Sequence, residues 1–491
     1  MLFNSYGFIF LFLPAVLLVF FGLARLSRDF STAWLTAASL FFYGYWNPSY
    51  VGLLLGSVLG NYTFGIWIAG ARSNQDAAKS KVLMVAAISA NLLLLGYYKY
   101  ANFFLDNINS AASLHLSLGT IVLPLGISFF TFTQIAFLVD TWQGKVKEYN
   151  FLHYVLFVTY FPHLIAGPVL HHAEMMPQFA RRVIYRANWN NIATGLMLFT
   201  LGLCKKTLWA DSFAPFANAV FDGVDRNEIP TIYEAWSGAL AYTMQIYFDF
   251  SGYTDMALGI ALMCNIRLPI NFYSPYKATS IIEFWRRWHM TLSRFLRDYL
   301  YIPLGGNRKG PVRRYANLMG TMLLGGLWHG AGWTFVCWGG LHGLYLTVNH
   351  LWRGWLEGRH LRWSRGGLYS IVGGLITFIA VVVAWVVFRS SDLPHALVMI
   401  RAMFGEEARP ISLWEVLHGQ LLLSTNLRGR ELVNLLVASL AWVWLLPNST
   451  QIRFIKGGYA LALAQAIMVA FFLAFAVDKL GNYSPFLYFQ F

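Results

Sequence analysis

The sequence predicts an all-α, polytopic membrane protein. Of its 491 residues, 57% are hydrophobic and only 12% are charged, which is too apolar a composition for a soluble globular protein. Apolar segments near the roughly 20 residues needed to cross a bilayer recur from end to end, so we expect about 11–13 membrane-embedded helices, some of them broken or re-entrant. The net charge of +14 does not indicate a nucleic-acid partner, because lysine and arginine collect in the links between segments, as they do in cytoplasmic loops.

The first part of the chain predicts five spans separated by short polar links. Basic residues occupy every second link, which predicts that these links are cytoplasmic and that residues 100–119 face the other side. The first positive charges follow the first apolar run instead of preceding it, so we expect that run to be a retained span with its N-terminus outside. The predicted spans are 7–24, 32–46, 50–69, 83–99 and 120–141.

The next apolar stretch, FVTYFPHLIAGPVLHH, is interrupted by Pro162 and Pro168. Proline breaks helices, so this stretch is either a re-entrant piece or an irregular span, and both interpretations stay open. Apolar segments at 188–215 and 235–264 follow. The second of these contains YFDFSGYTDM with Asp249 and Asp255, which are expected to cap a helix or to form hydrogen bonds inside the bundle.

Residues 276–314 are the most basic part of the chain. Apolar side chains recur there at helical spacing, which predicts an amphipathic helix over 280–300 lying in the cytoplasmic interface with its arginines reaching the headgroups. Glu283 with Arg287 and Arg294 with Asp298 are spaced to form ion pairs along that helix. His289 lies beside the apolar stripe and is therefore a candidate functional residue.

The strongest candidate is His329, in LLGGLWHGAGW within an apolar run from Leu318 to Val348. The surrounding glycines predict a short helix, a break at His329 and then a full span, and they also let another helix approach closely. An ionisable residue at membrane depth is costly and is a functional candidate by default. The alternative is an interior histidine hydrogen-bonded to a neighbouring helix.

Further spans are expected at 368–388, 431–447 and 458–477, and a mixed segment at 405–430.

The two candidate histidines and the glycines around His329 fit the chemistry of acyl transfer. A neutral histidine is the usual base for taking a proton from a hydroxyl, and burial favours the neutral imidazole. Backbone amides at a glycine break could stabilise the developing oxyanion. There is no G-x-S-x-G motif, so the attacking hydroxyl is expected to belong to the substrate. The three cysteines show neither metal-ligand spacing nor a disulfide framework, and we expect free thiols and no metal.

The longest motifs resemble the signature of membrane-bound O-acyltransferases. They are SIIEFWRRWHMTLSRFLRDYLYIPLGGN and NLMGTMLLGGLWHGAGWTFVCWGGLHG, and FPHLIAGPVLHH, YFDFSGYTDMALG, LPINFYSPY and YFQF are similar to the branch of alginate O-acetylases and D-alanine transfer proteins. The resemblance implies one acyltransferase domain over 1–491, with a catalytic core at about 120–350 around a central tunnel. It also implies that His329 and His289 are the family's two catalytic histidines. Trp285, Arg286 and Trp328 flank them and are predicted to bind substrate.

The same resemblance implies a function at the bacterial inner membrane. An acyl thioester, acetyl-CoA or an acyl carrier protein, would donate acetyl on the cytoplasmic side as a co-substrate, with no bound cofactor. The acetyl group would cross to periplasmic acetyltransferases and polysaccharide-synthesis proteins that modify an exopolysaccharide such as alginate or cellulose. Two alternatives remain: transfer of D-alanyl or another acyl group to a cell-envelope acceptor, and secondary transport, although no inverted repeat is visible.

Overall fold

All the regular secondary structure in the described part of the chain is helical. It divides into two compact units: Met1–Leu203, Tyr253–Ile270 and Arg453–Asn482 form the first, and Cys204–Gly252, Asn271–Ile452 and Tyr483–Phe491 form the second. The computed structural model describes residues 1–358, 366–406, 408, 412, 427, 429–455, 457–481 and 486–487. The predicted segment 405–430 therefore falls largely outside the described residues.

The first unit contains the helices predicted for the first part of the chain. They are α1 (Phe8–Leu23), α2 (Arg28–Gly44), α3 (Ser49–Ser73), α4 (Ala77–Ala112), α5 (Ile127–Trp142), α6 (Phe151–Thr159), α7 (Phe161–Leu164), α8 (His172–Phe179) and α9 (Trp189–Cys204). One expectation is corrected, because α4 runs well into the link expected at 100–119. No glycine or proline lies between Ala101 and Ala112 to stop it, and the helix ends where Ser113 adopts a left-handed conformation with φ 52°.

The proline-containing stretch is broken, as its sequence predicts. After α6 the chain makes the single turn of α7 and then continues without helix to α8, and every residue from Tyr154 to Leu170 is buried. Gly167 is required at this turn, since a Cβ there would lie 2.3 Å from the Cα of His163. Whether this piece enters and leaves on one side of the membrane stays a prediction.

The second unit holds both predicted catalytic histidines. Its helices are α10 (Asp211–Asp225), most of α11 (Ile232–Met263), α12 (Ile281–Trp285), α13 (Met290–Leu296), α14 (Gly310–His329), α15 (Trp333–Gly358), α16 (Gly367–Arg389), α17 (Leu393–Met403) and α18 (Gly429–Leu445). The last helix of the chain, α19 (Tyr459–Asp478), belongs to the first unit.

The prediction of a single continuous helix over 280–300 is wrong, whereas its position in the cytoplasmic interface stays a prediction. The segment stops at Trp285, turns, and resumes at Met290, and Phe284, Trp288 and Leu292 are buried. Two backbone hydrogen bonds explain the break: Tyr273 N–H donates to Arg287 O and Met290 N–H donates to Asn271 O, both at 2.9 Å. Pairing with residues 271–273 thus replaces the helical hydrogen bonds. The expected ion pair of Glu283 and Arg287 is present, with Oε1 and Nη2 2.7 Å apart.

Helices α14 and α15 form a tight hairpin around the predicted break. His329 is the last residue of α14, Gly330–Gly332 form the turn, and α14 has 20 residues rather than the short helix expected. A Cβ on Gly326 would lie 2.2 Å from the carbonyl oxygen of Phe335, and one on Gly339 would lie 2.2 Å from that of Met322. The glycines therefore allow the two helix backbones to touch, as small residues do between membrane helices.

The described helices support the polytopic membrane assignment. By length and hydropathy, α3, α4, α16 and α19 could each cross a membrane, and α1, α5 and α17 are shorter apolar helices. The total of 11–13 membrane-embedded helices and the tunnel stay predictions. None of the three cysteines, all of which lie in the described part, forms a disulfide.

Candidate active site

His329 is buried at the end of α14, where the helix stops at the glycine turn. Its side chain is 5% exposed. The imidazole packs edge-on against neighbouring rings, with centroid distances of 5.0 Å to Trp328, 5.0 Å to Trp338 and 5.5 Å to Phe388. This packing holds the imidazole plane in one orientation, which a residue that acts on a substrate needs.

A small cavity opens beside His329. Its volume is about 20 Å³, which is room for roughly one water molecule. The surrounding side chains are mostly apolar and all belong to the second unit. They are Ile246, Asp249, Phe250, Trp288, His329, Trp385, Phe388, Phe486 and Leu487. Apolar surroundings of this kind strengthen electrostatic interactions with a reacting group.

His289 lies in the turn between α12 and α13 and is completely buried. Its backbone has φ 42°, a left-handed conformation that is unfavourable for a residue with a side chain and is often found at functional sites. Its Nδ1 is 3.1 Å from Asn271 Oδ1, which also accepts hydrogen bonds from the Thr291 N–H at 3.2 Å and the Thr291 hydroxyl at 2.9 Å.

This arrangement assigns the tautomer of His289. Because the Asn271 oxygen only accepts, the ring proton lies on Nδ1 and the lone pair on Nε2. Within the described part of the chain, no group hydrogen-bonds to that buried Nε2. The ring centroids of His289 and His329 are 6.3 Å apart. The structure thus brings the two predicted histidines together and leaves one buried acceptor for a substrate group.

The three residues predicted to bind substrate occupy different positions. Trp328 is 3% exposed, and its ring centroid is 5.0 Å from that of His329 and 6.1 Å from that of His289. Trp285 is farther out: its Nε1 donates to His342 Nδ1 at 3.2 Å, and its ring contacts Trp338, which in turn contacts His329. Arg286 is exposed at the end of α12. Only Trp328 therefore contacts both histidines.

The sequence-based candidates missed a largely buried ion network that reaches the cavity wall at Asp249. Lys206 Nζ lies 2.7 Å from Asp249 Oδ1 and 2.8 Å from Asp211 Oδ1, and the side chains of Lys206 and Asp249 are 4% and 1% exposed. Asp249 Oδ2 also accepts the Leu487 N–H at 3.0 Å. The signal was present in the sequence, because opposite charges within two apolar segments are expected to pair. Asp249 thus follows the expected interpretation of a hydrogen-bonded interior acid.

Trp338 and His342 were also missed as part of the site. The Trp338 ring centroid lies 5.0 Å from that of His329 and 4.8 Å from that of His342. Both sit in WTFVCWGGLHG, where an aromatic at helical spacing is indistinguishable in sequence from ordinary core packing. Among the described residues there is no group of three or more His, Cys, Asp or Glu side chains that could hold a metal ion.

Comparison with known proteins identifies the family. The family model of MBOAT, the membrane-bound O-acyltransferase family, matches residues 16–388. The chain belongs to this family. As an O-acyltransferase it is an enzyme, which agrees with the sequence-based expectation and disfavours the transporter alternative.

Individual relatives are similar over most of the chain. A peptidoglycan O-acetyltransferase of Helicobacter pylori is 44% identical over 432 residues, covering 82% of this chain and 80% of that protein. A probable alginate O-acetylase of Pseudomonas putida is 38% identical over 515 aligned positions, covering 100% of both chains. A teichoic acid D-alanyltransferase of Bacillus subtilis is more distant, with 26% identity over 68% of this chain and 85% of that protein.

Proposed function

We propose that this membrane-bound O-acyltransferase takes an acetyl group from a thioester donor on the cytoplasmic side of the bacterial inner membrane for O-acetylation of an extracytoplasmic polysaccharide. The observation that carries the proposal is the position of His329 in the wall of a small cavity, with the His289 ring centroid 6.3 Å away. The names of the peptidoglycan O-acetyltransferase and the probable alginate O-acetylase to which the chain is similar support acetyl as the acyl group and a glycan as the final acceptor.

In the proposed reaction, His329 is the general base. Its imidazole accepts the proton of the acceptor hydroxyl as that oxygen attacks the thioester carbonyl. The tetrahedral intermediate then collapses, the carbon–sulfur bond breaks, and the imidazolium returns the proton to the leaving thiolate. The net change exchanges a thioester and an alcohol for an ester and a thiol, with no other reactant.

His289 is proposed to orient a substrate. Its Nε2 lone pair can accept a hydrogen bond from a second donor group of a substrate, because Nδ1 is committed to Asn271, and the proton of the reacting hydroxyl is left to His329. The first turn of α15, directly after the break, carries the positive end of a helix dipole and can stabilise the oxyanion. Trp328 packs beside both histidines, and Trp285 contacts Trp338, which packs against His329. The exposed Arg286 is suited to binding a phosphate of the donor.

The experiment is a deletion strain complemented with the gene. Mild base releases ester-linked groups from purified exopolysaccharide and, separately, from peptidoglycan, and acetate and D-alanine are quantified in each. We expect ester-linked acetate to disappear from one polymer and to return on complementation. Unchanged acetate in both polymers would contradict the proposal, and loss of ester-linked D-alanine instead would establish the alternative acyl group. The same assay in strains lacking a periplasmic acetyltransferase tests the proposed partners.

A further inference from the structure

The space beside His329 is very small, and several of its walls are aromatic rings. The cavity of about 20 Å³ accommodates a methyl-sized group, whereas a longer acyl chain needs further volume for each methylene. Inserting methylenes into a packed interior forces side chains and backbone to shift. The size of this cavity thus bears directly on which acyl groups can reach His329.

Several aromatic walls of the cavity pack against one another and against rings outside the lining. The Trp385 ring centroid is 5.0 Å from that of Trp288, 5.6 Å from that of Trp338 and 5.3 Å from that of Phe388. The Phe250 ring, another part of the lining, is 4.9 Å from that of Phe272. A ring fixed by other rings cannot retreat without disturbing its whole cluster, so these walls do not yield to a larger acyl group.

Ile246 is the wall residue that can be shortened with the least disturbance. It lies on α11, is 7% exposed and lines the cavity with an aliphatic side chain. Replacing it by alanine removes carbon atoms from the wall without breaking an aromatic contact or an ion pair. A protein interior relaxes only partly after such a truncation, so most of the vacated volume is added to the cavity.

We propose that Ile246, together with the fixed rings around it, restricts acyl transfer at His329 to the two-carbon acetyl group. This inference rests on the proposed function and names the residue that sets its acyl-group specificity. A donor with a propionyl or butyryl group places its extra carbons against Ile246, Trp385 and Phe388. It therefore reaches the transition state less often than the acetyl donor does.

The test measures thioester use by the purified full-length protein in liposomes. Acetyl, propionyl and butyryl groups are supplied as CoA thioesters and as acyl carrier protein thioesters, with water taking the place of the acceptor hydroxyl, and release of free thiol is followed for each. The wild type should use acetyl far better than butyryl. Ile246→Ala should raise the rate with butyryl relative to the rate with acetyl by about tenfold or more, which is the usual effect of one methylene group on substrate discrimination in an apolar pocket.

Ile281→Ala is the matched control. Ile281 is buried to a similar degree, at 5% exposed, and is not part of the cavity lining given above, so its replacement should leave the butyryl-to-acetyl ratio unchanged. Ile246→Val shortens the same side chain by less, and it replaces Ile246→Ala in the test if the alanine variant does not accumulate in the membrane. An unchanged ratio in the Ile246 variants, or equal use of butyryl and acetyl by the wild type, overturns the inference. Absence of thiol release from every donor by the wild type instead counts against the proposed function.

Discussion

The imidazole rings of His289 and His329 meet edge-on at a centroid distance of 6.3 Å, although each is placed by a different interruption of a helix. His329 ends α14 at a glycine turn, and His289 occupies a left-handed turn fixed by Asn271. Both interruptions lie in apolar surroundings, where an irregular backbone is costly unless its polar groups are satisfied. The two histidines therefore depend on the structures that hold these breaks.

Replacing His289 by asparagine should reduce acetylation without preventing folding. Asparagine tolerates the φ of 42° found here better than most residues do. It does not extend as far as the imidazole and loses the Nε2 acceptor, so we expect the acetyl content of the polymer to fall by about tenfold, the weight of one hydrogen bond in the transition state. His289→Ala should in addition lower the amount of protein in the membrane. Wild-type acetylation by His289→Asn would remove His289 from the mechanism.

Gly326 should not tolerate alanine. The added Cβ would lie 2.2 Å from the Phe335 carbonyl oxygen, so α14 and α15 must separate, and overpacking of this kind costs roughly 1–3 kcal/mol. We expect a lower unfolding temperature of the purified protein in detergent, together with reduced activity, because His329 ends the same helix. Gly320→Ala is the control on α14, since a Cβ there meets nothing within 4 Å. Equal unfolding temperatures for the two variants would contradict the hairpin packing.

Removing Lys206 should be far more damaging than removing an exposed cation. Lys206→Met leaves the buried carboxylate of Asp249 and the partly buried carboxylate of Asp211 without the cation that lies within 2.8 Å of both, and breaking a buried pair costs about 3–5 kcal/mol. Arg226→Met is the control, because its pair with Glu228 is 56% and 37% exposed and such pairs contribute about 1 kcal/mol or less.

The double variant Lys206→Met/Asp249→Leu tests whether the buried charge is the cause. Removing both members should recover part of the stability lost in Lys206→Met, since the uncompensated carboxylate beside the cavity is then gone. The measurement is thermal unfolding of each variant in the same detergent. If Lys206→Met is no less stable than Arg226→Met, the ion network does not stabilise this unit.

Local patterns in the sequence predicted much of the fold and the positions of the two catalytic candidates. Apolar runs placed α3, α16 and α19 to within a few residues, and the glycines around His329 predicted the break that ends α14. Such features are encoded by neighbouring residues, through helical periodicity and backbone freedom.

What the sequence did not predict depends on contacts between distant segments. The 280–300 segment has a helical pattern, yet hydrogen bonds to residues 271–273 interrupt it at His289. The pairing of Lys206 with Asp249 likewise joins residues far apart in the sequence, and the contact of Trp338 with His329 joins α15 to α14. A single sequence shows that such residues are unusual for an apolar segment, but it does not show which of them meet.

The measurement that bears most directly on the proposed reaction is the O-acetyl content of the polymer in cells carrying His329→Ala, with the membrane abundance of the protein measured in parallel. His350→Ala is the matched control. His350 lies on α15 and contacts Arg314, with its Nδ1 2.8 Å from the Arg314 Nη2, and cells carrying this variant should acetylate the polymer normally. Loss of a general base reduces the rate on the order of 10²- to 10⁴-fold, so His329→Ala should abolish detectable acetylation at normal abundance. Normal acetylation by His329→Ala at normal abundance would contradict the assignment of His329 as the catalytic base.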